Sequence, residues 1–177
     1  GGFSDITAAE AATEMKPKKM KPLVTSGNSS VAFTTGTDRK HMLFEVIKPF
    51  EKEIRAGLKG KRLVIKPNMV VTNVPLCAAH VESLEALLEY LKPFYKGQIL
   101  IGESSSSFNS SDGFANYGYL DLENKYNCKF VDFNGAKGKP FYILDRNLHM
   151  DEIQLINELA DPDNYVISLS RLKTHNT

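Results

Sequence analysis

The sequence predicts an α/β protein with three layers, a mostly parallel sheet carrying helices on both faces. Two observations support this. From residue 29 onward, short β-branched runs alternate with apolar stripes of helical period, the pattern of stacked β-α-β units. Three strands that read as central also end in polar residues, as happens when parallel strands bring their carboxyl ends to one edge.

Residues 1–28 read as a flexible tether ahead of a domain over 29–177. An Ala-rich start leads into Met15-Lys16-Pro17-Lys18-Lys19-Met20-Lys21-Pro22 and then Thr25-Ser26-Gly27-Asn28, with no amphipathic period. Helix interiors reject Pro17 and Pro22, and a Lys/Pro mixture stays extended and solvated. The segment has no initiator Met and no hydrophobic signal core. The expectation is therefore a leader already removed, which leaves both an extracytoplasmic and a cytoplasmic location open.

Within the domain, Ser30-Val31-Ala32-Phe33-Thr34 is predicted as the first strand. Thr37 or Asp38 then caps a helix on which Leu43, Ile47, Phe50 and Ile54 form one stripe, and Gly57 and Gly60 end it. Arg62-Leu63-Val64-Ile65 follows as a central strand. The next helix carries Val81, Leu84, Leu87, Leu88 and Leu91 on one face until Pro93 stops it. Gln98-Ile99-Leu100-Ile101 is the third strand, a helix capped by Ser111 or Asp112 runs to about Tyr126, and Lys129-Phe130-Val131-Asp132-Phe133 is the fourth strand. Phe141-Tyr142-Ile143-Leu144 suits an edge strand or hairpin arm, and Glu152-Ile153-Gln154-Leu155-Ile156 a short helix. Tyr165-Val166-Ile167-Ser168-Leu169 is the last strand.

Composition narrows the function classes. No apolar run approaches the ~20 residues of a membrane span, and 22 basic against 21 acidic residues leave no excess for a nucleic-acid backbone, so neither a membrane span nor a nucleic-acid partner is expected. Cys77 and Cys128 are too few for a disulfide scaffold and cannot supply four thiolates, so no iron–sulfur cluster is expected within this chain and two buried free thiols are. The sequence also lacks a Gly-x-Gly-x-x-Gly turn, a Walker lysine loop and a nucleophile elbow.

The chemistry-bearing residues follow predicted strands. Lys66-Pro67-Asn68 combines a cation with a rigid exit and an amide that both donates and accepts. Glu103-Ser104 opens a serine run, and Glu103 serves equally as an ion-pair partner or a general base. In the run from Arg171 to His175, Lys173 and Thr174 offer an anion two donors beside His175. His80 sits near a helix start, where the dipole disfavours the imidazolium and a neutral ring suits proton transfer or metal ligation. Since each lies beyond the carboxyl end of a parallel strand, Lys66, Asn68, Glu103, Lys173 and His175 are expected to converge.

Together, Leu63-Val64-Ile65-Lys66-Pro67-Asn68, Pro75-Leu76-Cys77 with His80, Ile101-Gly102-Glu103-Ser104 and Leu172-Lys173-Thr174-His175-Asn176 resemble the DUF362 family from about Val31 to the end. The resemblance implies a bacterial or archaeal α/β protein of unsettled function. Some relatives of that kind carry ferredoxin-like iron–sulfur modules or twin-arginine signals, neither visible here. Family members often have a threonine-histidine-proline run where this chain has Ala79-His80-Val81, which leaves only His80 to carry over. The family domain also continues past the lysine-threonine-histidine element, so this sequence is expected to hold the N-terminal part of it.

Three readings follow. The first is an enzyme on a small anionic or carbonyl substrate, with Lys66 and Lys173 stabilising charge and Glu103, His80 or His175 moving a proton. The second is a binding or redox-partner module that holds a small anion or docks an iron–sulfur protein. The third is a metal protein using His80, His175 and Glu103, against which the neighbouring lysines repel a cation.

Overall fold

A computed structural model describes residues 29–107 and 109–174, and every element belongs to the unit Ala32–Thr177. The helices are α1 (Arg39–Ile47), α2 (Glu51–Leu58), α3 (Val81–Leu91), α4 (Ser110–Asn116) and α5 (Asn157–Ala160). The strands are β1 (Arg62–Pro67), β2 (Ile99–Glu103), β3 (Cys128–Asp132), β4 (Gly138–Leu144), β5 (Met150–Ile156) and β6 (Asn164–Leu169). The sheet order is β3-β2-β1-β6, all parallel, and β4 and β5 form a separate antiparallel hairpin.

Alternation along the strands sorts the sheet into two faces. Leu63 and Ile65 of β1 lie level with Ile99 and Ile101 of β2 and with Tyr165 and Ile167 of β6, and Phe130 of β3 is level with Ile101. This face packs against Leu84, Leu87, Leu88 and Leu91 of α3, Leu58 of α2 and Phe114 of α4, with Leu43, Ile47 and Ile54 from α1 and α2 around the margin. On the other face Val64 and Leu100 share a cleft with Asn157 and Glu158, so α5 covers its amino-terminal end. The expected α/β fold with a parallel sheet is present. Among the described residues no helix is long and apolar enough to cross a membrane.

Several expected elements change. Residues 29–36 form no strand, and Val31 and Phe33 are exposed. A β-branched run becomes a strand only where a ladder partner is available, and β6 occupies the free side of β1 along its whole length. The predicted first helix divides into α1 and α2 around a 3-10 turn at Lys48–Phe50, because Pro49 has no N–H to give and its ring crowds the preceding turn. The predicted helix to Tyr126 stops at Asn116, where Gly118 turns left-handed (φ 72°), and a 3-10 turn, Leu120–Asn124, follows.

The predicted helix over 152–156 is instead strand β5, with Ile153 opposite Phe141 and Glu152 opposite Tyr142. The tight turn before it decides the outcome. The Asp145 carboxylate accepts the backbone N–H groups of Asn147 and His149, both at 2.8 Å, and Leu148 adopts φ 65°. Both cysteines are free, but only Cys128 is buried, whereas Cys77 is half-buried. Burial pushes the Cys128 thiol up to about 11, with Glu123 adding to the effect. The tether assigned to residues 1–28 lies outside the described residues.

Candidate functional site at the carboxyl edge

The chain runs from β1 to β2 to β3 in one direction and returns to place β6 on the opposite side of β1. In an open parallel sheet the loops leaving the strands diverge at such a reversal, and a crevice opens beyond the carboxyl ends. That point falls between Lys66-Pro67-Asn68 and Ser170-Arg171-Leu172. On the β6 side of that edge lies a cleft of about 550 Å³, walled by α1, the start of α3 and the exit of β6.

Backbone hydrogen bonds build its floor. Asn68 N–H donates to Leu169 O at 2.9 Å and Asn68 O accepts from Ala79 N–H at 2.7 Å, which ties the exit of β1 to β6 and to the residue before His80. Tyr119, fully buried, donates its hydroxyl to Ala79 O, and burial pushes that phenol far above its ordinary value. The Asn68 Oδ1 and Ser105 Oγ atoms, both buried, have no hydrogen-bond partner among the described residues.

Basic and polar side chains line the cleft. Arg171 directs one Nη1 to the carbonyls of Pro75 and Ala78, at 3.2 Å each, and no carboxylate pairs with it among the described residues. Arg39, the first residue of α1, reaches Glu82 at 2.9 Å and also faces the cleft. His80 is the N-cap of α3, and its Nδ1 accepts Glu82 N–H at 3.2 Å. In the neutral ring that bond leaves the proton on Nε2, free to donate. Ser83 and Thr34 add hydroxyls, although Thr34 donates to Glu45 at 2.7 Å.

The residues expected from sequence fall into two groups. Lys66, Glu103 and Ser104 gather between β1 and β2: the buried Glu103 carboxylate accepts from Lys66 Nζ at 2.8 Å, Met69 N–H at 3.2 Å and Ser104 N–H at 2.8 Å. His80 lines the cleft, and Asn68 is tied to it through backbone bonds to Leu169 and Ala79. Lys173 and Thr174 follow the cleft residue Leu172 and are exposed, while His175 lies outside the described residues. Among the described residues no three His, Cys, Asp or Glu side chains assemble to hold a metal ion.

The serine run is not an open cradle. Ser104 N–H goes to Glu103, Ser105 N–H to Ser110 Oγ at 2.9 Å, and Ser106 N–H to Val70 O at 2.9 Å, so these amides serve the loop itself. Sequence reasoning missed Arg39 and Ser83. Arg39 precedes the sheet in sequence and acquires meaning only when α1 packs along α3. Ser83 carried a usable signal, since it lies three residues beyond the N-cap in the first turn of α3.

No curated protein and no solved structure matches the chain. The family model described as Domain of unknown function (DUF362) matches residues 63–177, from Leu63 in β1 through the segments that form the carboxyl edge, and the chain belongs to that family.

Proposed function

We propose that this protein binds a small anionic ligand at the carboxyl edge of its parallel sheet, in the cleft walled by α1, the start of α3 and the exit of β6. The observation that carries this reading is the lining itself. Two guanidinium groups, Arg39 and Arg171, meet the amino end of α3 and the His80 ring, and no acidic side chain lines the cleft among the described residues. Guanidinium forks and helix N-termini both favour negative charge, and a low-dielectric wall strengthens each contact. Lys66, on the neighbouring strand, is paired with Glu103 and so adds donors rather than net charge near this edge. Lys173, Thr174 and His175 follow directly from the rim and complete the donor set on this reading.

Calorimetric titration with phosphate, sulfate and small carboxylates tests it. Wild-type protein is expected to bind at least one of them. Arg171→Met and Lys173→Met are expected to weaken that binding about tenfold or more, the loss of one charge-assisted contact, with unchanged circular dichroism. Arg171→Lys retains the charge and is expected to recover part of the loss. Absent binding, or binding equal in all four proteins, would remove the anion site.

A further inference from the structure

The lining of the cleft also selects among anions, and this selection rests on the anion-binding reading above. Met42, Leu43 and Val46 of α1 form one wall, half-buried and turned to the cleft, and Leu169 and Leu172 stand at the exit of β6, with Leu172 wholly exposed. The basic groups Arg39, His80 and Arg171 share the same space. Charged and apolar groups therefore line one and the same space.

A ligand of inorganic size fills a small part of about 550 Å³ and leaves that apolar wall wet. Net charge gives a second criterion. Glu82 already compensates Arg39, so of the groups that line the cleft itself Arg171 is the one guanidinium without a paired carboxylate among the described residues, Lys173 standing beyond the rim. That balance suits a monoanion better than a dianion. A carboxylate also matches the planar fork of Arg171, whose Nη1 is committed to two carbonyls and whose remaining N–H groups have no partner among the described residues.

We infer that the cleft takes a monocarboxylate with an apolar body, its carboxylate at Arg171 and His80 and its hydrocarbon against Met42, Val46 and Leu172. The hydrocarbon contributes by leaving water, so affinity rises with chain length until the wall is covered.

The test is a calorimetric series of acetate, butyrate, hexanoate and octanoate, with sulfate and hexanol as controls. From acetate to hexanoate each added methylene is expected to tighten binding about two- to fourfold. Hexanol, without the charge, is expected to bind at least tenfold more weakly than hexanoate. Leu172→Ser and Met42→Gln are expected to pull the hexanoate affinity toward that of acetate and to leave acetate unchanged. Affinity that is flat with chain length, or hexanol equal to hexanoate, or hexanoate unmoved by both variants, would overturn the apolar-body inference. Acetate or sulfate binding that Arg171→Met weakens would leave the anion site standing through that failure. Binding by none of the acids and not by sulfate would take away both.

Discussion

Asp132, the last residue of β3, joins that strand to the start of α4. Its Oδ2 accepts Ser110 N–H at 2.8 Å, and its Oδ1 accepts both Asn134 N–H at 2.8 Å and the Asn134 side-chain amide at 3.0 Å. Burial alone would raise this carboxyl. The donors from Asn134 and Ser110 outweigh it and hold the group below its ordinary 3.8. A folded value below the unfolded one means stability that is complete above about pH 4 and is lost as pH falls through the folded value. Asp132→Asn is therefore expected to be less stable than wild type by a constant margin from neutral pH to about 4, with the margin shrinking below that. Denaturant melts across the range read this directly, and a margin that stays constant at the acid end would show that the carboxylate is not engaged. Gly102 makes a different residue-scale test. A Cβ there would stand 2.2 Å from the buried Phe133 ring, so Gly102→Ala is expected to cost about 1–3 kcal/mol by overpacking, measurable in the same melts.

Among the elements, the β4–β5 hairpin stands apart. All of β4 and most of β5 are exposed, including Phe141, Tyr142, Leu144 and Met150, so its own ladder and the Asp145 turn hold it together. A two-stranded hairpin with little else to pack on is marginal in water. Hydrogen exchange is expected to separate the two kinds of strand: β4 and β5 amides exchange by local opening, insensitive to mild denaturant, while those of β1 and β2 exchange only as the whole domain opens. Uniform protection across both sheets would contradict this. The elements also show why part of the fold was legible beforehand. Strands β1, β2, β3 and β6 and helix α3 declare themselves because Leu63, Ile101, Leu88 and Ile167 all face one core, so local pattern and burial agree. Strand β5 did not, since Glu152-Ile153-Gln154-Leu155-Ile156 suits a helix by composition and becomes a strand only through its pairing with β4. The break at Pro49 was readable from its missing N–H.

At the scale of the whole molecule, the candidate site was half legible. Strand-end residues announced the carboxyl edge, and the family resemblance pointed to the same loops. Sequence could not say that the edge holds two groups, because the division depends on strand order. With β2 and β6 on opposite sides of β1, Lys66 meets Glu103 in one direction and Asn68 meets Leu169 in the other. Arg39 came to the cleft from a helix that precedes the sheet altogether, a contact that tertiary packing alone supplies.

The same strand order carries a consequence for biosynthesis. Strand β1 is complete at Pro67, yet its partner on the cleft side begins only at Asn164. At ribosomal speeds of about 5–20 residues per second, roughly 5–20 s separate the two. Throughout that interval the nascent chain presents one flank of its central strand unpaired, an invitation to other chains and to chaperones. Arrival of β6 shields that flank and is followed at once by Leu169 to Leu172, one wall of the cleft. Protection from misassociation and assembly of the cleft wall therefore come together, with the synthesis of β6 and the residues that follow it.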